Sequence, residues 1–387
     1  MKKLLAFLTA MVLLAGTAAA QAENGYLSIQ QMRESAPERW TQTFETKWRD
    51  VAVDAEIRVP QVDALPVVLV SGGATQPTLT AEETGWDYIE YRGPYDVMFC
   101  LNDAEYPKSV NGVRVGDPVS KGVWYSGFDS QNTYAPMDDT TFGEIVAQAK
   151  EKIAQFGYDP EAFDLEHPCR LWAHHIYGVG TKEDLLPGYF FLNARVKVYG
   201  IPVLSHIWQA VKTKTDTHRI DEIWHYTNAC LCYDGYRGGI SSIFLTPLAV
   251  RETLADDIPL CSFDKVLSAV EAEVTAGHIR KVYEMELGYV LYNEPGVYRP
   301  EGASDQELEN AYQSARYYLK PMWQINCLYV ENPKGKLQET ASYTDDERNS
   351  SDYCELLVDA QTGELVRPNT EKERCEFKGF LSWEDAR

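Results

Sequence analysis

The chain has 387 residues and a formal net charge of −22 at pH 7, and 44% of its residues are hydrophobic. So acidic a protein disfavours binding to nucleic acid or anionic lipid, because both carry negative charge. The composition is that of a globular protein rather than a disordered one, and the length suits two or three domains.

Residues 1–22 have the pattern of a cleavable secretory signal peptide. Lys2 and Lys3 give a positive start, and a short apolar run follows. Ala20-Gln21-Ala22 fits the A-x-A rule, which predicts cleavage near Ala22, with cleavage after Ala20 as the alternative. The apolar run is shorter than the about 20 residues that span a bilayer. We therefore expect a secreted or extracytoplasmic protein that is soluble after cleavage.

Cysteines are spread through the remaining chain. They are Cys100, Cys169, Cys230, Cys232, Cys261, Cys327, Cys354 and Cys375. An even number in an exported protein permits disulfides, but eight cysteines allow on the order of 100 pairings. The sequence therefore leaves the connectivity open, and buried thiols are the alternative.

An N-terminal β-rich region is predicted over residues 23–136. Its first element is expected to be a helix, because Ser35-Ala36-Pro37-Glu38 has the spacing of a capping box, and the helix would run to about residue 49. Residues 51–59 alternate apolar and other side chains, which is typical of a half-buried strand, and residues 66–70 form a second apolar run. Strands and long loops are expected over residues 78–136.

Two amphipathic helices of similar design predict a first helix-plus-sheet unit over 137–239 and a second over 240–387. Caps are expected at Thr141 and Ser262, and stops at Gly157 and Gly277. Both apolar faces repeat at i, i+3, i+4, i+7 and i+11: Phe142, Ile145, Val146, Ala149 and Ile153, then Phe263, Val266, Leu267, Val270 and Val274. Strand-like stretches follow at 194–204 and 282–292. Chance similarity of two common helices is the alternative.

The C-terminal part is predicted to be rich in strands. Residues 321–330 alternate loosely, and residues 353–359 form another strand-like stretch. A turn at Asp359-Ala360-Gln361-Thr362-Gly363 closes that strand, with Gly363 expected at positive φ. The acidic residues 340–352 are expected to form a solvated loop.

The segment from residue 262 to 363 resembles the PepSY-type and YycI/YycH-type domains of exported Gram-positive proteins. The matching motifs are Ser262-Phe263-Asp264-Lys265-Val266, Leu287-Gly288-Tyr289, Tyr318 with Pro321 and Trp323, and Asp359-Ala360-Gln361-Thr362-Gly363. More widely, the chain resembles uncharacterised secreted proteins of intestinal Firmicutes. The resemblance implies an α+β fold of two or three tandem units of antiparallel sheet packed by helices. It also implies a protein that binds or restrains another protein.

The matching residues themselves are expected to be structural. Trp323 and Tyr289 would fill a core between sheet and helix, while Gly200 and Gly363 would lie where a strand turns or a backbone comes close.

One group of residues suggests metal chemistry. Its members are His167, Cys169, His174 and His175, with His225, Cys230 and Cys232 as further candidates. These are zinc-type ligands, but the spacing matches no known finger. Cys230 and Cys232 would share one face of a strand, either at a metal or as buried thiols or disulfide halves. The single E-x-x-H spacing of Glu222 and His225 carries less weight. We therefore predict no catalytic, cofactor-binding or metal-binding residue.

Aromatic residues crowd one segment, at Trp86, Tyr88, Tyr91 and Tyr95. They could form a surface that stacks on sugar or peptide, or they could fill the core and pair across strands.

We expect a secreted, non-enzymatic binding or regulatory protein that acts on another extracytoplasmic protein, such as a protease or an envelope sensor. The first alternative is an extracytoplasmic hydrolase with an atypical metal or His/Cys site around His174, His175, Cys230 and Cys232. The second alternative is an envelope glycan-binding protein. We expect no binding to nucleic acid and no stable insertion into a membrane.

Overall fold

The protein is seen in a computed structural model. It describes residues 25–47, 50–72, 88–92, 96–100, 109–110, 113–114, 139–165, 170–176, 186–204, 228–234, 239–293, 316–330, 353–366, 377 and 379–386, with only the backbone described for some strands. The predicted signal peptide and the predicted acidic loop at 340–352 lie outside these residues.

The described residues form a mixed α+β protein in which sheet predominates. The helices are α1 (Ile29–Ser35), α2 (Asp139–Gln155) and α3 (Phe263–Thr275). The strands are β1 (Tyr26–Leu27), β2 (Arg39–Glu45), β3 (Asp50–Arg58), β4 (Val67–Gly72), β5 (Tyr88–Arg92), β6 (Asp96–Cys100), β7 (Ser109–Val110), β8 (Val113–Arg114), β9 (Arg170–Ile176), β10 (Leu186–Arg195), β11 (Lys197–Val198), β12 (Ile201–Pro202), β13 (Asn228–Asp234), β14 (Gly239–Leu245), β15 (Leu248–Ala255), β16 (Leu260–Cys261), β17 (Ile279–Asn293), β18 (Tyr317–Tyr329), β19 (Tyr353–Asp359) and β20 (Leu365–Val366). The coarse prediction of an α+β fold is confirmed.

One sheet has six antiparallel strands in the order β5-β6-β14-β13-β10-β9. Helix α2 lies against this sheet and contacts β14. Its apolar face, including Ile145, Ala149 and Ile153, is buried in the core, as the helical spacing predicts.

A second sheet has eight strands. Its main path is β15-β4-β18-β17-β3-β2, and β19 pairs with β18 while β20 pairs with β19. The antiparallel pair β17–β18 forms its centre, and β3 joins β17 in parallel. Strands from residues 39–72, within the predicted N-terminal region, thus lie in the same sheet as strands from residues 248–366.

Helix α3 packs against the eight-stranded sheet. The predicted cap is confirmed, because Ser262 Oγ accepts the backbone N–H of Lys265 at 3.4 Å. The Phe263 ring lies 5.2 Å from the Trp323 ring, and Trp323 and Tyr289 are both fully buried. The predicted core role of these two aromatic residues is therefore confirmed.

The predicted helix from Ser35 to about residue 49 is wrong. The helix lies earlier, at α1, where Ser28 and Gln31 form the capping box: Ser28 Oγ accepts the Gln31 N–H at 3.3 Å, and Gln31 Oε1 accepts the Ser28 N–H at 2.9 Å. Residues 39–45 form β2 instead. Their aromatic and β-branched side chains favour an extended chain, and β3 supplies a partner that buries Trp40.

Two further boundaries differ from expectation. Helix α2 begins at Asp139, so Thr141 lies inside the helix rather than at its cap. The stretch 194–204 is not one strand, because a tight hairpin joins β11 to β12. Tyr199 and Gly200 make that turn with φ of 54° and 78°, the left-handed pair that a two-residue hairpin requires. The expectation that Gly200 lies at a turn is confirmed.

The turn after β19 has the predicted form. Asp359 Oδ1 accepts the backbone N–H groups of Gln361 at 2.8 Å and Thr362 at 3.0 Å, and Gly363 has φ of 69°. Asp359 Oδ2 accepts from Lys320 Nζ at 2.6 Å, which ties the turn to β18.

Candidate functional site

A row of polar side chains crosses the face of the eight-stranded sheet that points away from α3. We call it the polar row, and its members are Arg39, Asp54, Glu56, Arg58, Arg195, Glu284, Glu286, Gln324 and Asn326. Strand register explains why they meet. Glu284 lies opposite Glu56 on β3 and Asn326 on β18, and Glu286 lies opposite Arg58 and Gln324. Residues paired directly across strands share one face.

The buried end of the polar row is an ion pair between the two sheets. Arg195 stands at the end of β10 in the six-stranded sheet, and its Nη1 donates to Oε2 of Glu286 on β17. The two side chains are only 4% and 7% exposed. Removing one partner would take away the opposite charge that is bonded to the other, which costs about 3–5 kcal/mol for a buried pair. The pair therefore links β10 of the six-stranded sheet to β17 of the eight-stranded sheet.

The middle of the row is a hydrogen-bonded network. Gln324 Nε2 donates to Asn326 Oδ1 at 2.9 Å, and Asn326 Nδ2 donates to Glu284 Oε1. Arg58 Nε donates to Glu56 Oε1 at 2.9 Å, and Arg58 Nη2 lies 3.8 Å from Glu284 Oε2. The hydrogen bond to Glu56 raises the pKa of Arg58 against the opposing effect of burial, with a further rise from the Glu284 charge. Opposite charges therefore lie side by side in this part of the row.

The exposed end of the row reaches the edge of the sheet. Arg39 on β2 holds Asp54 on β3 through two contacts, of which Nη2 to Oδ2 measures 2.7 Å. Hydrogen bonding from this guanidinium lowers the pKa of Asp54. Both side chains are more than half exposed, so solvent screens the pair.

Strand β2 is the last strand on this side of the eight-stranded sheet. It pairs with β3 over seven consecutive residue pairs, from Arg39 with Glu56 to Glu45 with Asp50, without a register shift. Among the described strands, none pairs with β2 on its other side. At the opposite edge, β15 has two register shifts against β4.

Backbone hydrogen bonding defines which groups of β2 face outward. Ile57 N–H donates to the Glu38 carbonyl at 2.9 Å, so the even-numbered residues of β2 turn their backbone groups toward β3. The open edge of β2 is therefore formed by the N–H and C=O groups of Arg39, Thr41, Thr43 and Glu45. The residues of this edge are exposed to solvent.

Two buried titratable side chains, those of Cys261 and Tyr289, have raised pKa values. Burial raises the pKa of the Cys261 thiol to about 11. Burial also raises the pKa of Tyr289, whose hydroxyl donates to the Pro66 carbonyl at 2.8 Å. Both groups stay protonated at neutral pH, and both contribute packing.

The histidine and cysteine candidates lie in the six-stranded sheet. His174 and His175 are in β9, Cys230 and Cys232 are in β13, and β10 separates these strands by about 10 Å in all. The structure describes only the backbone of these four residues. The other candidates lie outside the described residues: His167, Cys169, Glu222 and His225. Among the side chains that are described, no three His, Cys, Asp or Glu residues come together as metal ligands.

The aromatic candidates are placed only in part. Tyr88 and Tyr91 belong to β5, at one edge of the six-stranded sheet, and only their backbone is described. Trp86 and Tyr95 lie outside the described residues.

Sequence reasoning missed the polar row, although a signal was present. Polar residues recur at every second position in Glu284-Met285-Glu286-Leu287 and in Trp323-Gln324-Ile325-Asn326. In a central strand this alternation indicates that one face buries polar side chains. The pattern does not show which arginines neutralise the glutamates, because Arg58 and Arg195 come from distant segments.

In the part of the chain that the structure describes, no helix combines the length and apolar character needed to cross a membrane.

No protein-family model matches this chain, and no curated protein matches it. Among solved structures, the chain is similar to the crystal structure of an uncharacterized protein from Eubacterium rectale ATCC 33656. The two share 14% sequence identity, and the match covers 88% of this chain and 97% of that chain with a TM-score of 0.46.

Proposed function

We propose that this is a secreted, non-enzymatic binding or regulatory protein that holds an extended segment of another extracytoplasmic protein along the open edge of β2. The observation that carries the proposal is the regular, solvent-exposed edge strand. Addition of a strand to such an edge is a common mode of peptide recognition, in which backbone hydrogen bonds supply affinity.

The two edges of the eight-stranded sheet differ in a way that supports this role. Proteins usually protect sheet edges with bulges, prolines or very short strands, since an open edge invites pairing. Strand β15 has such irregularities, at Val250/Glu252 and at Thr253/Ala255. Strand β2 has seven regular pairs and contains no proline. It is therefore the better template for an incoming strand.

Charge around this edge favours a basic segment. Glu45 lies directly opposite Asp50, and both side chains are exposed. Arg39 at the other end is neutralised by Asp54. With a net charge of −22 for the whole chain, a partner segment bearing lysine or arginine would be attracted and an acidic segment repelled.

We also propose that the fold consists of tandem units of the PepSY and YycI type. Tandem units of PepSY and YycI type are supported by the two amphipathic helices, each of which lies on its own sheet, α2 on the six-stranded and α3 on the eight-stranded one. The Asp359–Gly363 turn is a further supporting feature. Export rests on the signal-peptide pattern of residues 1–22.

The test uses the chain from Glu23 onward and two variants at Thr43, whose N–H belongs to the open edge. Thr43→Pro removes that donor while leaving the bonds to β3 in place, and Thr43→Ala keeps the donor. Binding of a fluorescent peptide of alternating threonine and lysine would be measured by anisotropy, beside a threonine–glutamate peptide.

We expect the lysine peptide to bind the parent protein and Thr43→Ala alike, and Thr43→Pro about tenfold more weakly. The glutamate peptide should bind weakly to all three. Equal binding by both Thr43 variants, or no binding of the lysine peptide, would contradict the proposal. The proposal would also be contradicted if the parent protein sediments as a dimer and Thr43→Pro as a monomer. The edge would then be occupied by a second copy.

A further inference from the structure

Two cysteines occupy directly opposed backbone positions on neighbouring strands of the eight-stranded sheet. In the antiparallel register of β18 and β19, Cys327 lies directly opposite Cys354. We propose that these two residues form a cross-strand disulfide in the exported protein. This inference does not rest on the binding role of β2.

No other register pair in the described strands joins two cysteines. The partners are Tyr88 and Ser242 for Cys100, Asn193 and Phe244 for Cys230, Phe191 and Ser242 for Cys232, and Tyr26 for Cys261. Cys169 and Cys375 lie outside the described residues. The register thus selects one pair from the many that eight cysteines allow.

The backbone geometry suits the bond. Directly opposed residues of antiparallel strands have Cα atoms about 4.5–5.5 Å apart, inside the range of about 4.4–6.8 Å found for disulfides. The pairing runs over seven residues from Met322 with Asp359 to Leu328 with Tyr353, without a register shift. Cys327 is fully buried in the core on the same face as Trp323. No slip of register is needed to bring the two positions together.

The bond would secure the C-terminal strands. Strands β18 and β19 are separated along the chain by residues 330–352, so their pairing closes a long loop. Strand β19 in turn carries β20, and Ala360 beyond it accepts the Cys261 N–H at 2.9 Å. A covalent link between β18 and β19 restricts the unfolded chain and so favours this arrangement.

Forming the bond is an oxidation. Two cysteine thiols must lose two protons and two electrons as the S–S bond forms. The electrons pass to an oxidant that carries a disulfide. One cysteine thiolate attacks this disulfide and forms a mixed disulfide, and attack by the second cysteine then releases the oxidant as two thiols. Exported proteins meet such oxidants, and the exchange would occur during folding, before Cys327 is buried.

Cys261 supplies an internal control. It is buried like Cys327, but the residue opposite it in β1 is Tyr26. We therefore expect Cys261 to remain a thiol under conditions that oxidise the pair.

The experiment maps the bonds in the intact exported chain. The protein is secreted from a host with an oxidising compartment, denatured without reductant, alkylated, digested and analysed by mass spectrometry. We expect one linked peptide containing Cys327 and Cys354, lighter by two hydrogens than its separate halves, and an alkylated Cys261. Alkylation of both residues, or linkage of either to another cysteine, would overturn the inference.

A stability measurement adds a second readout on the same bond. Reductant should lower the Tm of the parent protein and of Cys261→Ser by several degrees, and leave the Tm of the Cys327→Ser/Cys354→Ser variant unchanged. An equal decrease in all three proteins would show that the reductant acts on other bonds. Because mapping uses the parent protein, the inference stays testable if the double variant does not fold.

Discussion

Arg195 of the six-stranded sheet and Glu286 of the eight-stranded sheet form a buried ion pair that links the two sheets. The pair lies at the inner end of the polar row, where almost no side-chain surface is exposed. A buried pair of this kind adds little net stability, because both charges lose their hydration.

The first prediction concerns this pair. Glu286→Gln should lower the free energy of unfolding by about 3–5 kcal/mol, because the buried Arg195 guanidinium would lose the carboxylate charge to which it donates. Arg195→Met/Glu286→Leu should recover most of that loss, since neither charge is then present. Urea denaturation of the parent and both variants measures the difference. A double variant as unstable as Glu286→Gln would show that packing, not charge, explains the loss.

The second prediction concerns Gly288 in β17. A Cβ at this position would lie 2.6 Å from the Pro202 carbonyl oxygen and 2.8 Å from Leu204 Cδ2, and the first of these is backbone that cannot move aside. Gly288→Ala should therefore destabilise the protein by about 1–3 kcal/mol. Gly143→Ala is the matched control, because Gly143 lies inside α2 with nothing within 4 Å of its Cβ.

Gly143→Ala should raise stability by about 0.5–1 kcal/mol, as alanine favours a helix over glycine. Thermal unfolding followed by circular dichroism distinguishes the two variants. A shift of Tm in the same direction for both glycine variants would show that β12 does not pack closely on Gly288.

The third prediction concerns the titration of Asp54. Its hydrogen bond from Arg39 lowers its pKa, so the carboxylate adds stability above its unfolded-state pKa, and this is lost as pH falls through the folded pKa. Arg39→Ala should move the Asp54 pKa upward, toward its ordinary value of about 3.9. Carbon-detected NMR of the side-chain carboxyl measures this directly. An unchanged Asp54 pKa would show that Arg39 does not hold the carboxylate in solution.

Local pattern was enough to predict the second amphipathic helix and the strands that follow it. The Ser262 cap, the buried face of α3 and the turn at Asp359 each depend on residues close together in sequence. The Ser35 prediction failed because the same capping rule fits two sites. At Ser28 the buried residues Ile29 and Met32 follow within one helical turn, whereas the residues 39–45 after Ser35 pair with β3 as a strand.

Long-range arrangement could not be predicted in the same way. The parallel pairing of β3 with β17 brings Glu56 beside Glu284, and these residues are far apart in sequence. Both the polar row and the position of β2 at the sheet edge depend on that pairing. The sequence does not distinguish Cys327 and Cys354 from the other six cysteines. The β18–β19 register places them opposite each other.

Amide hydrogen exchange along β2 tests the proposed binding edge most directly. In the protein alone, the N–H groups of Gln42 and Phe44 should be protected by β3, while those of Thr41 and Thr43 exchange rapidly. With the lysine peptide bound, Thr41 and Thr43 should become protected and Gln42 and Phe44 should change little. Protection that spreads evenly over β2, or binding without added protection at Thr41 and Thr43, would contradict the account.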